Sequence, residues 1–455
     1  MDNAASYDVL IIGAGQAGIP LAYSLAGDGK SVALAERQHL GGSCVNFGCT
    51  PTKAAIASGS VAANARRAAE YGVRVSEVGV DFLAVLERAR GIVRNKTSGI
   101  QKGLDQTDNP ELIWGHARFE SCESEGFRLS VGERSVLARE VVIDTGTRTA
   151  IPPVEGIENV DYITSGNWLD REELPESLAI IGAGYIGLEM AQLYRRMGSE
   201  VTVIGSAGRV APHEDEEVSG GLQSILEDEG VKFRLGSRAE KVERASDGVR
   251  ITLNGGENVE ATNVFIATGR APNTDDLGLE NVGLQTSDGG VIEVDKHLAT
   301  SVDGIWAAGD IRGGPMFTHT AYDDFRVLAS QMSGDGTHTT DRVVPYAIFT
   351  DPELGRAGMT ERDARESGYD VDVKTFEMKN DGKAQELGET SGFIKVIVNR
   401  ADSRMLGAAV LAHSGGELVH MYADLMNAGA PYTVMRDAVH IHPTLAEAIQ
   451  SAVAS

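Results

Sequence analysis

Short runs of apolar residues end in glycine-rich turns at several points of the chain, and the first of them sets the pattern. Residues 7–12 form an apolar run of strand type that leads into the loop 13–18 (GAGQAG) and a helical stretch. A second strand, over 31–35, ends at Glu36. Such glycines allow a tight turn and let a pyrophosphate approach the helix N-terminus, and the acid can accept hydrogen bonds from ribose hydroxyls. The pattern predicts a dinucleotide-binding unit, and an α/β turn without a nucleotide is the alternative.

The same order of elements returns later in the chain. An apolar run over 178–181 enters the loop 182–187 (GAGYIG), which is followed by a helical stretch and a second strand. Gly205 stands where the first unit has its acid, and Ser206 and Arg209 follow. Removing the carboxylate removes repulsion against a 2′-phosphate, which the serine hydroxyl or the guanidinium can bind. We therefore predict a second nucleotide site that favours NADPH over NADH; a solvated Arg209 is the alternative.

Further apolar runs divide the chain into domains. Pro152-Pro153 marks a boundary, and the run 264–270, which contains Gly269, closes the second unit. Another strand ends at Asp310, which can bind a ligand hydroxyl or cap the next helix. The last part of the chain has no nucleotide signature, and its pattern suits association. Its predicted strands and helices are strands 392–398 and 407–411 and helices 417–428 and 445–452.

These elements predict an α/β fold with two Rossmann-like dinucleotide-binding domains and a C-terminal α+β domain. The first domain is expected to combine residues 1–150 with 271–340. The second is expected to cover 151–270, and the third 341–455. Repetition of one supersecondary unit with an unrelated tail predicts that two nucleotides act together.

The net charge and the N-terminal sequence limit the partners and the compartment. Lysine and arginine number 41 against 66 acidic residues, so the formal charge is 41 − 66 = −25, which disfavours nucleic acid and anionic membranes as partners. No apolar run approaches the ~20 residues needed to span a bilayer. The stretch 1–6 lacks the basic and apolar regions of a signal peptide. We therefore expect a cytoplasmic protein that binds neither nucleic acid nor membrane.

The segment 41–53 (GGSCVNFGCTPTK) holds Cys44 and Cys49, two of the chain's three cysteines. Residues five apart on an ideal α-helix have Cα atoms ~8.7 Å apart, which exceeds the ~7 Å that a disulfide can bridge. Gly48 allows the backbone to bend between them. Thr50 as N-cap, followed by Pro51, predicts that a helix starts immediately after Cys49.

The predicted helix start gives the two sulfurs different properties. Cys49 would face the positive end of the helix, which lowers the pKa of a thiol, and Cys44 would exchange with an external partner. The pair is predicted to be a redox dithiol, and a stabilising disulfide or inert core thiols are the alternatives. A reducing compartment disfavours a lasting structural disulfide. Cys122 has no partner in sequence and is expected to be incidental.

A histidine near the C-terminus has the surroundings of a general base. The segment 440–447 reads HIHPTLAE, so Thr444 can cap a helix whose first turn carries Glu447. That carboxylate is placed to orient the imidazole of His442, which could then take a proton from a thiol. A surface histidine without a catalytic role is the alternative.

The motifs together resemble one enzyme family over essentially the whole chain. GAGQAG with Glu36, GGSCVNFGCTPTK, GAGYIGLE, ATGR, GIWAAGD and HIHPTLAE occur in the order found in the FAD-dependent pyridine nucleotide-disulfide oxidoreductases. That family includes glutathione reductase, dihydrolipoamide dehydrogenase and mercuric reductase. The resemblance implies that electrons pass from NAD(P)H through FAD to a Cys44–Cys49 disulfide and then to an oxidised substrate. It also implies a homodimer and makes the C-terminal domain the dimerisation domain.

The resemblance also implies roles for individual residues. Cys49 would be the flavin-facing thiol and Cys44 the interchange thiol, while Lys53 would pair with Glu189 near the flavin. His442, with Glu447, would reach across the dimer interface as the base. The implied FAD contacts are Gly13, Gly15, Gly18, Glu36, Gly42, Lys53 and Asp310. The implied NAD(P)H contacts are Gly182, Gly184, Tyr185 over the nicotinamide pocket, Gly187, Ser206, Arg209 and Gly269, and no metal site is expected.

Departures from the family's patterns bear on the substrate. Tyr23 and Ser24 stand where glutathione reductases place a substrate-binding arginine, and Tyr185 and Gly205 differ from the usual dihydrolipoamide dehydrogenase pattern. The motifs GAGQAG, CTPTK and GPMFTH are closest to the mercuric-reductase-like branch, but the C-terminal part has no thiols to receive a metal ion. We predict an NAD(P)H-dependent disulfide reductase that acts on a small-molecule or protein disulfide. The alternatives are dihydrolipoamide dehydrogenase, a mercuric-reductase-like metal or oxidant reductase, and a flavin-bound redox sensor or scaffold without turnover.

Overall fold

The computed structural model describes residues 5–454, so the predicted domain limits at residues 1 and 455 and most of the stretch 1–6 lie outside the described residues. The first part of the chain is an α/β unit interrupted by a helical hairpin. Its elements are β1 (Ala5–Ile12), α1 (Gly18–Gly27), β2 (Val32–Glu36), α2 (Gly42–Asn46), α3 (Cys49–Arg66), α4 (Phe82–Asp105), β3 (Glu111–Trp114), β4 (Ala117–Glu123), β5 (Gly126–Val131), β6 (Arg134–Ile143) and β7 (Thr147–Thr149).

The sheet of this first unit has the strand order β3-β2-β1-β6-β5-β4. β1 pairs in parallel with β2 and β6, and Leu10 lies opposite Ala33 and Val141. Central parallel strands are covered on both faces, which explains why residues 9–12 form an unbroken buried apolar run. The carboxyl ends of these strands meet at one edge of the sheet, where the loop 13–18 and Glu36 follow them.

The second unit repeats this arrangement on a smaller sheet. Its elements are β8 (Tyr162–Thr164), β9 (Ser177–Ile181), α5 (Tyr185–Met197), β10 (Glu200–Gly205), α6 (Glu216–Asp228), β11 (Lys232–Leu235), β12 (Ala239–Ala245), β13 (Gly248–Leu253), β14 (Asn258–Ala261), β15 (Asn263–Ile266) and β16 (Arg270–Pro272). The parallel order is β11-β10-β9-β15-β8, and the antiparallel strands β12-β13-β14 share a buried cluster with it. β16 pairs with β7 and joins the two units.

The chain then returns to the first sheet before it forms the C-terminal domain. The remaining elements are β17 (Ile305–Ala307), α7 (Thr318–Ser333), β18 (Tyr346–Ile348), β19 (Glu353–Gly358), α8 (Glu361–Glu366), β20 (Val371–Glu377), α9 (Gly382–Leu387), β21 (Phe393–Asn399), β22 (Met405–Ala412), α10 (Gly415–Leu418), α11 (His420–Asn427), α12 (Thr433–Arg436) and α13 (Ala446–Ala454). β17 pairs in parallel with β6. The C-terminal sheet is antiparallel, in the order β18-β19-β22-β21-β20. Among residues 5–454, no helix has both the length and the apolar character to cross a membrane.

Two predicted helix boundaries are wrong. The helix predicted to have Thr50 as N-cap and Pro51 as its first residue begins at Cys49 with Gly48 as N-cap, and the hydroxyl of Thr52, not that of Thr50, donates to the Gly48 carbonyl at 2.8 Å. The single helix expected over 417–428 is divided into α10 and α11. The buried Val419 lies between them, and its carbonyl accepts the Tyr422 N–H three residues on, which is the bond of a tighter turn.

Candidate active site

A cavity of about 1850 Å³ runs between the two nucleotide units and reaches the C-terminal domain. Its walls bring together most of the residues singled out from the sequence. The predicted residues that line it are Gly13, Gly15, Glu36, Gly42, Cys44, Cys49, Lys53, Gly182, Gly184, Tyr185, Glu189, Ser206, Arg209, Gly269 and Asp310. Residues separated by almost 300 positions in the chain therefore share one continuous space.

The glycine loop of the first unit packs closely against neighbouring backbone, which only residues without a Cβ allow. Gly13 has φ +111°, and a Cβ there would lie 2.2 Å from the carbonyl oxygen of Asp144. A Cβ on Gly18 would lie 2.1 Å from the Gly13 carbonyl oxygen. Among the described residues Gly18 is not part of the cavity wall, so its expected contact with FAD is indirect: it allows the helix to pack against the strand.

The loop of the second unit is built in the same way. Gly182 has φ +122°, and a Cβ there would lie 2.2 Å from the carbonyl oxygen of Ala267. A Cβ on Gly187 would lie 2.0 Å from the Gly182 carbonyl oxygen, and Gly187 is likewise not on the cavity wall within the part of the chain described. Only Gly182 and Gly184 of these loop glycines face the space that a nucleotide would fill.

Asp144 is a site residue that the sequence pattern did not single out. It follows β6 and is buried, and its Oδ2 accepts the backbone N–H of Gly18 at 2.8 Å. A Cβ on Gly15 would approach this oxygen to 2.8 Å. Burial raises the pKa of Asp144 well above its usual value. Its position at the end of a strand was a usable signal, because it is shared with Glu36 and Asp310.

Glu36 and Asp310 lie on the cavity wall as expected from their strand ends. One oxygen of Glu36 accepts the N–H of Ala14 at 2.9 Å, and the other accepts two backbone N–H groups of the following turn, at 2.8 and 2.9 Å. Asp310 accepts a hydrogen bond from Thr147 at 3.0 Å. Glu36 is thus held beside the glycine loop, where a ribose can reach it.

These residues fit FAD. One cavity is lined both by Glu36 and by the dithiol, and a Cβ on Gly42 would come within 3.2 Å of the Gly15 Cα. The dithiol segment is bonded to the first loop as well, because Gly41 N–H donates to the Ala14 carbonyl at 2.8 Å. A dinucleotide that lies along the loop 13–18 would therefore end against Cys49.

The dithiol lies where two helices meet at a bend. Cys44 is in the short helix α2 and Cys49 is the first residue of α3. Gly48 between them has ψ −120°, and the Phe47 carbonyl accepts the indole N–H of the buried Trp168 at 2.9 Å. The predicted bend at Gly48 is thus present, and the second unit holds it in place.

The two thiols differ in acidity. A hydrogen bond from Cys44 is the largest influence that lowers the pKa of the Cys49 thiol, the charge of Lys53 adds to it, and burial acts in the opposite direction. The same hydrogen bond, together with burial, raises the pKa of Cys44. Cys49 Sγ also lies 3.2 Å from the Thr318 hydroxyl at the start of α7, a contact that sequence reasoning missed although the GPMFTH motif contains it. The directions agree with the predicted roles, which remain predictions.

Lys53 and Glu189 form the predicted ion pair. Lys53 Nζ lies 2.7 Å from Glu189 Oε2, and the other carboxylate oxygen accepts the Phe349 N–H at 3.0 Å. The ammonium also lies 4.5 Å from the centre of the Phe349 ring. The pair links the dithiol helix α3 with α5 of the second unit, and the C-terminal domain holds it from a third side.

In the second nucleotide unit, strand β10 ends at Gly205, and Ser206 and Arg209 follow it. A Cβ on Gly205 would come within 2.9 Å of the Ala183 Cβ and 3.0 Å of Leu235 Cδ2, so this backbone has little room for an acidic side chain. Ser206 and Arg209 line the cavity together with Arg238, a cation that the sequence pattern did not single out. This end of the cavity is suited to an anion.

His442 and Glu447 form the predicted pair on the protein surface. His442 Nδ1 lies 3.1 Å from both carboxylate oxygens of Glu447, and the imidazole is 78% exposed. The Thr444 hydroxyl does not cap the helix as predicted, because it donates to a backbone carbonyl. Instead, the Thr444 N–H donates to the Glu447 carboxylate at 3.0 Å. Within residues 5–454 His442 is not part of the cavity wall. Val439, three residues before it, is 99% exposed.

A group of potential metal ligands lies elsewhere in the structure. Across the described residues, Asp351, Glu389 and His413 bring their ligand atoms within 4.8 Å of one another. Both carboxylates are already ion-paired, Asp351 with Arg196 at 2.7 Å and Glu389 with Arg67 at 2.9 Å. Because these guanidinium groups compete with a cation for the carboxylates, this group does not argue for a metal, and the expected absence of a metal site stays a prediction. Cys122 is exposed on β4, and its incidental role stays a prediction as well.

Comparison with known proteins agrees with this geometry. Residues 7–324 match the pyridine nucleotide-disulphide oxidoreductase family, and residues 344–453 match the dimerisation domain of the same family. The chain is 35% identical to the probable pyridine nucleotide-disulfide oxidoreductase RclA of Escherichia coli (strain K12), over 97% of this chain and 98% of the relative. It is 34% identical to the mitochondrial dihydrolipoyl dehydrogenase of Pisum sativum, over 98% of this chain and 90% of the relative.

A solved structure extends the likeness to the fold. The Cu(II) complex of HOCl-induced flavoprotein disulfide reductase RclA from Escherichia coli has a TM-score of 0.89 and 33% identity, and the match covers 98% of this chain and 99% of that chain. The predicted fold class, enzyme class and cofactors FAD and NAD(P)H are confirmed, and the dimerisation domain supports a homodimer. The chain therefore belongs to the pyridine nucleotide-disulphide oxidoreductases, FAD-dependent enzymes that exchange electrons between NAD(P)H and disulfides.

Proposed function

We propose that this protein uses NADPH to reduce a small-molecule or protein disulfide through Cys44 and Cys49, with His442 of the partner subunit as the base. The observation that carries the proposal is the placement of both sulfurs in the cavity between the two nucleotide loops. We also propose that the protein resides in the cytoplasm, because a reducing compartment keeps the dithiol available for exchange.

The residues that would hold FAD are those on the wall of the first unit, with Glu36 and Asp310 at hydroxyl groups and Lys53 near the reacting end. When bound, FAD supplies the two-electron exchange between NAD(P)H and the dithiol. The protein's own contribution at that end is the Lys53–Glu189 pair, 2.7 Å apart, which holds the ammonium of Lys53 on the dithiol helix α3, four residues after Cys49. A fixed positive charge there favours the Cys49 thiolate.

Substrate reduction then proceeds by thiol–disulfide exchange. Cys44 loses its proton to the imidazole as its sulfur attacks one sulfur of the substrate disulfide, which forms a Cys44–substrate mixed disulfide. The first substrate thiolate leaves and takes the proton from the imidazolium. The Cys49 thiolate then attacks Cys44 Sγ, the Cys44–Cys49 disulfide closes, and the second thiolate leaves and takes a proton from solvent. Two electrons and two protons thus reach the substrate.

The pKa of Cys44 explains why this exchange needs a base. Hydrogen bonding to Cys49 and burial raise the pKa of Cys44, so the attacking sulfur is protonated at neutral pH. His442 is oriented by Glu447, which the Thr444 N–H holds in turn. The imidazole is exposed and, among the described residues, does not line the cavity of its own chain, so we assign it to the dithiol of a partner subunit.

The proposal is tested with purified, FAD-loaded protein and NADPH. We expect NADPH-dependent reduction of at least one disulfide among glutathione disulfide, lipoamide, low-molecular-weight bacterial disulfides and a protein disulfide. Cu(II) and a quinone are tested as alternative substrates, since a solved relative is a Cu(II) complex and soft thiolates bind copper. Turnover of Cu(II) or quinone with no disulfide reduced would contradict the proposed substrate class. Faster NAD⁺-dependent oxidation of dihydrolipoamide than any reduction would favour dihydrolipoamide dehydrogenase.

NADPH selectivity follows from the anion-suited end of the cavity. We expect Arg209→Ala and Arg238→Ala each to raise the KM for NADPH about 10- to 100-fold, because a hydrogen bond to a charged group contributes about 1.5–3 kcal/mol. The KM for NADH should change little. The measurement is steady-state kinetics with both nucleotides at a fixed disulfide concentration.

A matched control is Arg234→Ala, since Arg234 lies on β11 of the same domain and pairs with Glu257 at 2.6 Å. This variant should keep both KM values. An unmodified protein that prefers NADH in kcat/KM would refute the interpretation of Gly205, and equal effects on both nucleotides would show that the arginines do not read the 2′-phosphate.

A further inference from the structure

The ring of Tyr185, the first residue of α5, is held in place from two directions. Its hydroxyl donates to Glu214 Oε1 at 2.9 Å. Its face stacks on the ring of Tyr346 in β18, with centroids 5.5 Å apart and planes inclined by 24°. Tyr346 belongs to the part of the chain that matches the dimerisation domain. Tyr185, on the nucleotide side of the cavity, thus packs against the dimerisation domain.

Glu214 is the shared acceptor of this arrangement. It is 1% exposed, and Tyr346 donates to the same Oε1 at 2.6 Å. Its Oε2 has no hydrogen-bond partner within residues 5–454 and lies 3.8 Å from Arg356 of β19, which is itself 1% exposed. A carboxylate is costly to bury, and the nearby guanidinium of the C-terminal sheet offsets part of that cost.

Both tyrosines act as donors in this cluster. Burial, followed by the nearby Glu214 charge, raises the pKa of Tyr185 and of Tyr346. Their hydroxyls therefore stay protonated across the physiological pH range, and each keeps its bond to the carboxylate. The three groups Tyr185, Glu214 and Tyr346 form a closed set, since the two hydroxyls also lie 3.2 Å apart.

The stack continues from Tyr346 towards the dithiol. Phe317 stacks on Tyr346 with centroids 5.0 Å apart and planes inclined by 13°. Thr318, the next residue, is the one whose hydroxyl lies 3.2 Å from Cys49 Sγ. Tyr346 thus lies between the ring beside the second nucleotide loop and the start of α7 beside the sulfur.

The geometry points to Glu214 and Tyr346 as positioning residues that fix Tyr185 at the nicotinamide end of the cavity and so orient the hydride donor. This inference rests on the proposed function, because it assigns the second nucleotide loop to NADPH. Neither residue is assigned contact with the nucleotide itself; both act through the Tyr185 ring. The dimerisation domain, through Tyr346 and Arg356, therefore takes part in the nucleotide half of the reaction.

The test compares Tyr346→Phe and Glu214→Gln with Tyr194→Phe as a matched control. Tyr194 lies on the same helix α5, is 1% exposed, and its hydroxyl has no hydrogen-bond partner in the described chain. We expect both test variants to slow flavin reduction by NADPH about tenfold, the effect of losing a hydrogen bond to a charged acceptor. Oxidised NADP⁺, titrated by calorimetry, should bind several-fold more weakly. The control should match the unmodified protein in both measurements.

Reoxidation of the pre-reduced variants by a disulfide separates positioning from a structural role. This half-reaction should keep its rate, as should FAD content and the melting temperature of Tyr346→Phe. A Tyr346→Phe variant with unchanged flavin reduction and NADP⁺ binding would overturn the inference, and so would equal slowing of both half-reactions. If Glu214→Gln does not fold, Tyr346→Phe decides. An unmodified protein that NADPH does not reduce would instead contradict the proposed function, whereas NADP⁺ binding is measured without turnover and tests the inference separately.

Discussion

Cys49→Ser is expected to abolish the long-wavelength thiolate–flavin absorbance that appears when the FAD-loaded protein is reduced by NADPH. Cys44→Ser is expected to show this absorbance without any reductant. The reason is that Cys49 faces the end of the cavity beside Lys53 and Thr318, and its pKa is lowered. Without Cys44 no disulfide can form, and a serine hydroxyl at position 44 can still donate to the Cys49 thiolate. Visible absorbance spectra of the two variants, recorded before and after NADPH, check this result.

The acidity of Cys49 adds a pH dependence to this prediction. The hydrogen bond from Cys44 lowers the pKa of the Cys49 thiol from its ordinary value of 9.0 to about 6, so this thiol is ionised at pH 8. The absorbance of Cys44→Ser should therefore persist at that pH and disappear as the pH falls through the pKa of Cys49. A titration that is complete only near or above pH 9 would contradict the structural reason for a lowered pKa.

Both cysteine variants should also lose disulfide reduction by roughly 10⁴-fold or more, as enzymes do when a nucleophile is removed. Cys122→Ser is the matched control, since Cys122 is exposed on β4 and distant in sequence from the dithiol. It should keep full activity. Identical spectra for Cys44→Ser and Cys49→Ser would refute the assigned roles of the sulfurs.

His442→Gln is expected to slow disulfide turnover by about 10²–10⁴-fold while flavin reduction by NADPH keeps its rate. In the proposed dimer the imidazole takes the proton of Cys44, whose raised pKa makes unassisted attack slow. Glu447→Gln should have a smaller effect, because Glu447 orients the ring through its contacts of 3.1 Å and does not itself exchange the proton. Stopped-flow measurement of each half-reaction separates the two steps.

Mixed dimers test whether the base comes from the second subunit. A Cys44→Ser subunit paired with a His442→Gln subunit contains one site with both cysteines and an intact imidazole from the other chain. We expect the mixture to recover disulfide reduction that neither parent shows, with one competent site in each mixed dimer. Activity no greater than the sum of the parents would show that the imidazole acts within its own subunit or does not act as the base.

Much of the site could be predicted because its residues occur in short, contiguous segments of the sequence. The loops 13–18 and 182–187 follow strands and precede helices, and the structure shows both in that order. The bend at Gly48 was predictable from the spacing of Cys44 and Cys49. The helix start was misplaced by two residues, since several neighbouring residues can act as N-cap and only the backbone geometry at Gly48 selects one of them.

Other site residues could not be predicted because their role depends on distant neighbours. Asp144 acts on Gly18, which is 126 positions away, and Tyr346 meets Glu214 across 132 positions. Neither pair belongs to a local motif. Arg238 follows a strand of the second unit, and its sequence surroundings do not distinguish it from the many surface arginines until the cavity is defined.

The sequence alone determined the α/β class, the repeated nucleotide units, the redox pair and the histidine with its carboxylate. These features arise from spacing within a strand, a turn or one helical turn, where local backbone geometry decides. Only the tertiary structure decided that the dithiol lies between the two nucleotide loops and that, among the described residues, His442 does not line the cavity of its own chain. It also supplied the contact between Lys53 and Glu189 that the family resemblance implied. Such placements follow from how strands order in a sheet and how domains pack. Those long-range contacts bring together side chains whose separation along the chain carries no periodic signal.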